Sequence, residues 1–151
     1  MLHAPETFAL SKPVVRSSGG IVAAQHWEAA EVGASVLRDG GNAVDAAIAT
    51  AFAIGCVEPW MSGIGGGGFM MVAMAGERKV YKGGYGMIAP KALDPGRYAL
   101  ANEGEAPADC TFVWPRGLDD RNVLGPEAVG VPGAVRGFAG ALENFGTLDW
   151  A

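Results

Sequence analysis

Residues 40–55 read "GGNAVDAAIATAFAIG", a helical stretch without a polar face, and no other stretch constrains the fold as much. Past its first turn it carries Ala46, Ala47, Ile48, Ala49, Ala51, Phe52, Ala53 and Ile54. A helix that is apolar on nearly every side has to be covered on more than one side. Its small side chains let neighbours lie close. Asn42 supplies an N-cap, because its side-chain oxygen can accept from the free amides of the first turn. Asp45, three residues on, sets a carboxylate at the positive end of the helix dipole. It reads as a helix-start residue rather than a catalytic acid. The fold must therefore hold this helix at its centre, against a sheet and a second helix.

The flanking stretches supply those neighbours. Residues 1–18 read as an irregular lead-in and "GIVAAQ" (20–25) as a short strand. In 26–41, Trp27, Ala30, Val32, Val36 and Leu37 recur at helical spacing; Arg38 sits in the last turn, and Gly40 or Gly41 can form the left-handed cap. Pro59 makes "CVEPW" a connector. "FMMVAMA" (69–75) reads as a buried strand, 76–78 as a turn and "KVYKGGY" (79–85) as the return strand. From 87 to 128 the chain is punctuated by Pro, Gly and Asp, as in a long surface segment. A last helix is expected within 131–146, with Pro132 near its start, Val135, Phe138, Ala139 and Leu142 on one face, and Gly146 as its stop. This order gives an α+β or layered α/β architecture, with helices covering a largely antiparallel sheet.

"SGIGGGGFMM" (62–71) contains G-x-G-x-x-G at Gly63, Gly65 and Gly68. A dinucleotide loop runs from a strand through the glycines into a helix, whose amides hold the pyrophosphate. Here a helix comes before and a strand after, and no Lys-Ser/Thr follows, so no nucleotide cofactor is expected. Backbone clearance is the preferred reading; the other is a bare backbone forming the floor of a substrate site.

Further classes fall away. With 11 Lys and Arg and a net charge of -5, no basic cluster can follow a nucleic-acid backbone. The apolar run 43–57 is too short to span a bilayer and carries Asp45, so no membrane association is expected. The start lacks a basic end followed by an apolar stretch, so a cytoplasmic location is the default. His3 and His26 have no second ligand at i+3 or i+4, which argues against a metal site. Cys56 and Cys110 read as reduced, mostly buried thiols rather than a disulfide.

Three stretches, "GGNAVDAA" (40–47), "SGIGGGGFMM" (62–71) and "VPGAVRGFAGALENFGTLDWA" (131–151), resemble in order and spacing the N-terminal part of the large subunit of the gamma-glutamyltransferase (gamma-glutamyltranspeptidase) family. The resemblance runs from about Val14 onward. It implies an N-terminal-nucleophile hydrolase fold, a four-layer αββα sandwich, of which residues 1–151 would form a single partial domain. It also implies a precursor that cuts itself into two subunits. The new N-terminal threonine of the small subunit is the nucleophile, its own α-amine serves as base, and an acyl group passes to water or an amine. In the family that group is most often γ-glutamyl, taken from glutathione, and acylase-like members hydrolyse other amides. The implied partners are the rest of the large subunit, a Thr-headed small subunit and a small amide substrate. On this reading the chain is a truncated gene, one piece of a split gene or an excerpt. A non-catalytic binding module made from the same piece of fold is the rival.

Two departures from the family matter. No catalytic residue is expected within the chain: Thr50 lies in the apolar helix, and Thr111 lacks the motif. The family's arginine, which grips the substrate α-carboxylate, and the glutamate after it stand just before an Ala-Pro. Here that stretch reads "GGYGMIAP", with Gly86 in the arginine's place and Met87 in the glutamate's. Tyr85, Gly86 and Met87 are therefore the candidate substrate-binding residues, forming a small and less polar wall. Arg78 and Arg97 are near in sequence but outside the motif. The substrate is then an amide that need not be γ-glutamyl. Glu58 is a solitary carboxylate. Trp27, Trp114 and Trp150 read as core or interface filler. "LDDRNV" (118–123) reads as a turn with an Asp120–Arg121-type surface network, a place at the pocket mouth being the other reading.

Overall fold

The computed structural model describes residues 13–101 and 117–150. Helix α1 spans Trp27–Arg38 and α2 spans Ala43–Val57. Strands β1 (Phe69–Met74) and β2 (Lys79–Gly84) form a hairpin, and α3 spans Ala134–Phe145. Three 3-10 turns, Pro95–Arg97, Leu118–Asp120 and Pro126–Ala128, punctuate the chain between β2 and α3. Among the described residues no helix is long and apolar enough to cross a membrane.

The start of α2 is fixed by the expected residues. Asn42 Oδ1 accepts from Val44 N at 2.8 Å and Asp45 N at 3.1 Å, while Asp45 Oδ2 accepts from Asn42 N at 2.7 Å. This reciprocal pair satisfies amides that the helix cannot. Val44 and Ile48 then join Ala134, Phe138 and Ala141 of α3 in the core, with Met70 and Val72 of β1 packed against them. On the opposite side α1 crosses at Gly33. A Cβ there would stand 2.1 Å from Thr50 Oγ1 and 3.0 Å from the Ala46 carbonyl oxygen, so only glycine permits the approach. Thr50 is buried and donates its hydroxyl to the Ala46 carbonyl at 2.8 Å. The fully buried positions of α2 lie between Val44 and Thr50, so the helix is covered on more than one side only in its first half, where Ala43 and Ala47 still face outward.

Five expectations need correcting. Residues 20–25 form no strand; instead the segment lies along α1, with Val22 against Gly33 and Gly20 against Leu37. Strand β1 is not buried on both faces. Met70 and Val72 point to the helices, whereas Phe69 and Met71 are 78% and 75% exposed, because a two-stranded sheet has helices on one face only. The face of α3 runs through Ala134, Phe138 and Ala141, and Val135 is exposed. The rotation is set at the helix start, where the Gly66 carbonyl accepts from Gly133 N at 3.0 Å and Ala134 N at 3.1 Å. Cys56, in the last turn of α2, is exposed. Neither described tryptophan of the three is a core residue: Trp27 is exposed on α1, and Trp150, half exposed, tilts over Phe52 with ring centroids 5.9 Å apart. His3, Cys110, Thr111 and Trp114 lie outside the described residues.

Candidate functional site

The stretch Tyr85–Met87 follows directly from the hairpin. Tyr85 and Gly68 extend the β1–β2 ladder by one pair, with Tyr85 N to Gly68 O at 2.9 Å and Gly68 N to Tyr85 O at 3.3 Å. Four glycines then close around Tyr85 and Gly86. A Cβ at Gly67 would meet the Tyr85 carbonyl oxygen at 2.6 Å, and one at Gly68 would meet the Tyr85 ring at 3.0 Å. From the other side, a Cβ at Gly133 would stand 2.2 Å from the Tyr85 carbonyl oxygen, and one at Gly137 would stand 2.2 Å from Tyr85 Cγ. Gly67 and Gly68 are thus bare because the Tyr85–Gly86 backbone and the Tyr85 ring lie against them, whereas a Cβ at Gly63 or Gly65 would meet nothing within 4 Å. The glycine stretch presents the Gly66 carbonyl to the start of α3 and leads into a strand. Clearance therefore accounts for Gly67 and Gly68, while Gly63, Gly65 and Gly66 line a groove as bare backbone; the order helix, glycines, strand is not that of a phosphate loop.

Tyr85 is fixed by its ring. It meets Phe138 edge-on with centroids 5.6 Å apart, and its hydroxyl lies 3.5 Å from the Phe69 carbonyl oxygen. Burial raises its pKa, so the phenol stays neutral and can donate a hydrogen bond. Gly86 differs from its neighbours. A Cβ built there meets no atom within 4 Å, and its φ is outside the left-handed region. A Cβ meets neither a clash nor backbone strain there, so nothing in the backbone requires glycine at this position. Met87 is exposed, and beyond it Ile88 bridges to Val131.

Gly86 divides two grooves. One, of about 540 Å³, has Ala51, Ile54, Trp60, Gly65, Tyr85 and Phe138 among its lining residues. The other, of about 520 Å³, begins at Met87 and takes in Ile88, Leu93, Tyr98, Glu127 and Val129. The arginines that flank the motif in sequence do not reach Gly86 as free cations. Arg97 pairs with Glu127. Arg78 sits in the hairpin turn with φ 52°, roughly 25 Å of strand away. Arg121 lies 3.5 Å from Asp119 and 4.0 Å from Glu127, so "LDDRNV" forms a charged network beside the second groove. Glu58 caps α2 with its Oε2 buried and without a hydrogen-bond partner. Among the described residues no group of three His, Cys, Asp or Glu could hold a metal.

Sequence reasoning missed the reach of two carboxylates. Asp45 accepts from Thr147 and Leu148 as well as from Asn42. Glu127 gathers two arginines from separate turns. No local signal in the sequence marks either, since the partners are brought together only by the fold.

Comparison with known proteins agrees with the sequence motifs. Residues 29–151 match the family model described as Gamma-glutamyltranspeptidase. The Glutathione hydrolase proenzyme of Pseudomonas aeruginosa is 41% identical over 133 residues, 88% of this chain and 21% of that protein. The Acylase ACY 1 proenzyme of Pseudomonas sp. strain SE83 is 39% identical over 144 residues, 95% of this chain and 25% of that protein. Among solved structures, the gamma-glutamyltranspeptidase of Pseudomonas nitroreducens complexed with L-DON superimposes with a TM-score of 0.71 at 40% identity, over 89% of this chain and 36% of that one. The Helicobacter pylori gamma-glutamyltranspeptidase gives 0.72 at 32% identity, over 91% and 36%. The chain thus spans about a fifth to a quarter of the length of these curated relatives.

Proposed function

The chain belongs to the gamma-glutamyltranspeptidase family and has part of its N-terminal-nucleophile hydrolase sandwich, and from that premise we propose that it builds one wall of the acyl pocket of an amidohydrolase or acyltransferase. The wall is Tyr85–Gly86–Met87. The nucleophile is a threonine outside this chain, at the head of a small subunit. Its hydroxyl attacks the amide carbonyl while its own α-amine takes the proton. The amine leaves, and the acyl-enzyme passes its acyl group to water or to a second amine. Two described threonines support this placement by being engaged elsewhere: Thr50 bonds inside its own helix and Thr147 bonds to Asp45. Neither is a chain terminus with a free α-amine.

The observation that carries the finer reading is the open, uncharged space at Gly86. Where the rest of the full-length enzyme closes over this exposed position, a carboxylate without a guanidinium would be desolvated and unpaired, at a cost of several kcal/mol. The preferred acyl group is therefore one without an α-carboxylate. The test is a comparison of the full-length enzyme on γ-glutamyl anilide and on 4-aminobutyryl anilide, which lacks only that carboxylate. Equal or better kcat/KM on the second is expected. A strong preference for γ-glutamyl would overturn the reading.

A further inference from the structure

The groove that begins at Met87 combines apolar walls with a charged rim. Ile88, Leu93 and Val129 line it, and Glu127 stands among them. Arg97 pairs with Glu127 from one turn, and Arg121 Nη1 lies 4.0 Å from Glu127 Oε2 from another. Arg121 is also 3.5 Å from Asp119 Oδ2. The charges along Arg97, Glu127, Arg121 and Asp119 therefore cancel. Glu127 is the fixed member of the group. Its side chain is 29% exposed, against 58% for Arg97 and 41% for Arg121. Its backbone is held too, because the Tyr98 hydroxyl donates to the Glu127 carbonyl at 2.8 Å.

Resting on the acyl-pocket reading above, we propose that Glu127 is a specificity-determining residue: by holding Arg97 and Arg121 it keeps the groove beyond Met87 neutral, and the acyl group lodged there is an uncharged apolar chain. A guanidinium fork left free at this rim would draw in an anionic acyl terminus, since its donors match a carboxylate. Glu127 engages both arginines from within the protein. The arginine absent at Gly86 is thus not replaced by its neighbours.

The test uses the full-length enzyme with butyryl and succinyl anilides, four-carbon acyl groups that differ by a terminal carboxylate. The wild type should prefer butyryl. Glu127→Gln leaves Arg97 without its counter-charge and should raise the succinyl-to-butyryl ratio of kcat/KM at least tenfold, an effect that shrinks with added salt. Arg97→Gln makes the rim negative and should move the ratio the other way; it carries the test if Glu127→Gln does not fold. Glu31→Gln, which removes a partner of Arg38 on the surface of α1, should leave the ratio unchanged. A wild-type preference for succinyl, or no shift in either groove variant, would overturn the proposal. If no amide is turned over at all, the acyl-pocket reading fails separately. Binding of butyramide and succinamate, followed by NMR saturation transfer on wild type and both variants, then makes the same comparison. Tighter binding of butyramide by the wild type and a gain for succinamate in Glu127→Gln are expected, and a wild-type preference for succinamate, or no shift in either variant, would overturn the proposal.

Discussion

Thr147 donates its hydroxyl to Asp45 Oδ2 at 2.6 Å, joining the residues after α3 to the first turn of α2 across 102 positions of chain. The amides of Thr147 and Leu148 reach the same carboxylate at 3.1 and 3.2 Å, and Asn42 Nδ2 donates to the Phe145 carbonyl at 2.6 Å. One carboxylate therefore caps a helix and fastens the end of another.

This sets a pH dependence. Burial pushes the Asp45 pKa up, but the Thr147 hydroxyl and the amides of Asn42, Leu148 and Thr147 outweigh it and hold it below its ordinary 3.8. A carboxyl depressed in the folded state stabilises the fold fully above its unfolded pKa, and the contribution fades as pH falls through the folded value. Asp45→Asn in the full-length protein should cost about 1–3 kcal/mol at pH 7. The gap to wild type should narrow below about pH 4. Urea unfolding at pH 7 and pH 3 measures it; a gap constant with pH would show that the charge is irrelevant. Thr147→Val should cost about 1 kcal/mol.

The two glycines of α3 predict opposite outcomes within one helix. Gly137→Ala drives a methyl into the Tyr85 ring, with 2.2 Å available to Cγ. It should destabilise by about 1–3 kcal/mol, and the same displacement should perturb the Gly86 wall. Gly140→Ala, three residues on, meets nothing within 4 Å. It should stabilise by about 0.5–1 kcal/mol through helix propensity alone. Thermal unfolding of the two variants decides the matter: if both move the same way, the close approach at Gly137 is not what the structure depicts.

The outer face of the hairpin is mostly apolar, with Lys82 opposite Met71 as its charged member. Phe69, Met71 and Val80 are all more than half exposed. The 151-residue chain expressed alone should self-associate, and Phe69→Thr with Met71→Thr should raise the monomer fraction in sedimentation. A monodisperse wild-type monomer with a cooperative transition would count against this.

Local signals were legible where the physics is local. Asn42, Asp45 and the apolar run that follows announce α2, because cap and core face lie within one helix. The hairpin reads equally well from its two apolar runs and the turn between them. Residues 20–25 misled because a strand exists only through a partner, and Val22 finds α1 instead. The spacing locates α3 within 131–146 but gives its buried face one residue out of phase, since that phase is set by the Gly66 carbonyl far upstream. The stretch Tyr85–Met87 is legible from a motif, whereas Glu127 draws its arginines from two turns that no spacing rule connects.

Gly86→Arg is the sharpest test of the functional reading. The open space at this position and a φ outside the left-handed region mean that the substitution should fold without strain. In the full-length enzyme it should raise the ratio of kcat/KM for γ-glutamyl anilide over 4-aminobutyryl anilide. Recovering about 3 kcal/mol of carboxylate binding would correspond to roughly a hundredfold change, and a partial, tenfold gain still supports the reading. Met87→Glu added to it should increase the gain if that carboxylate orients the guanidinium. Gly86→Ala is the control for bulk: it fills part of the space without charge and should leave the ratio near wild type. An unchanged ratio in a folded, active Gly86→Arg enzyme would mean that the acyl group does not lie against this wall.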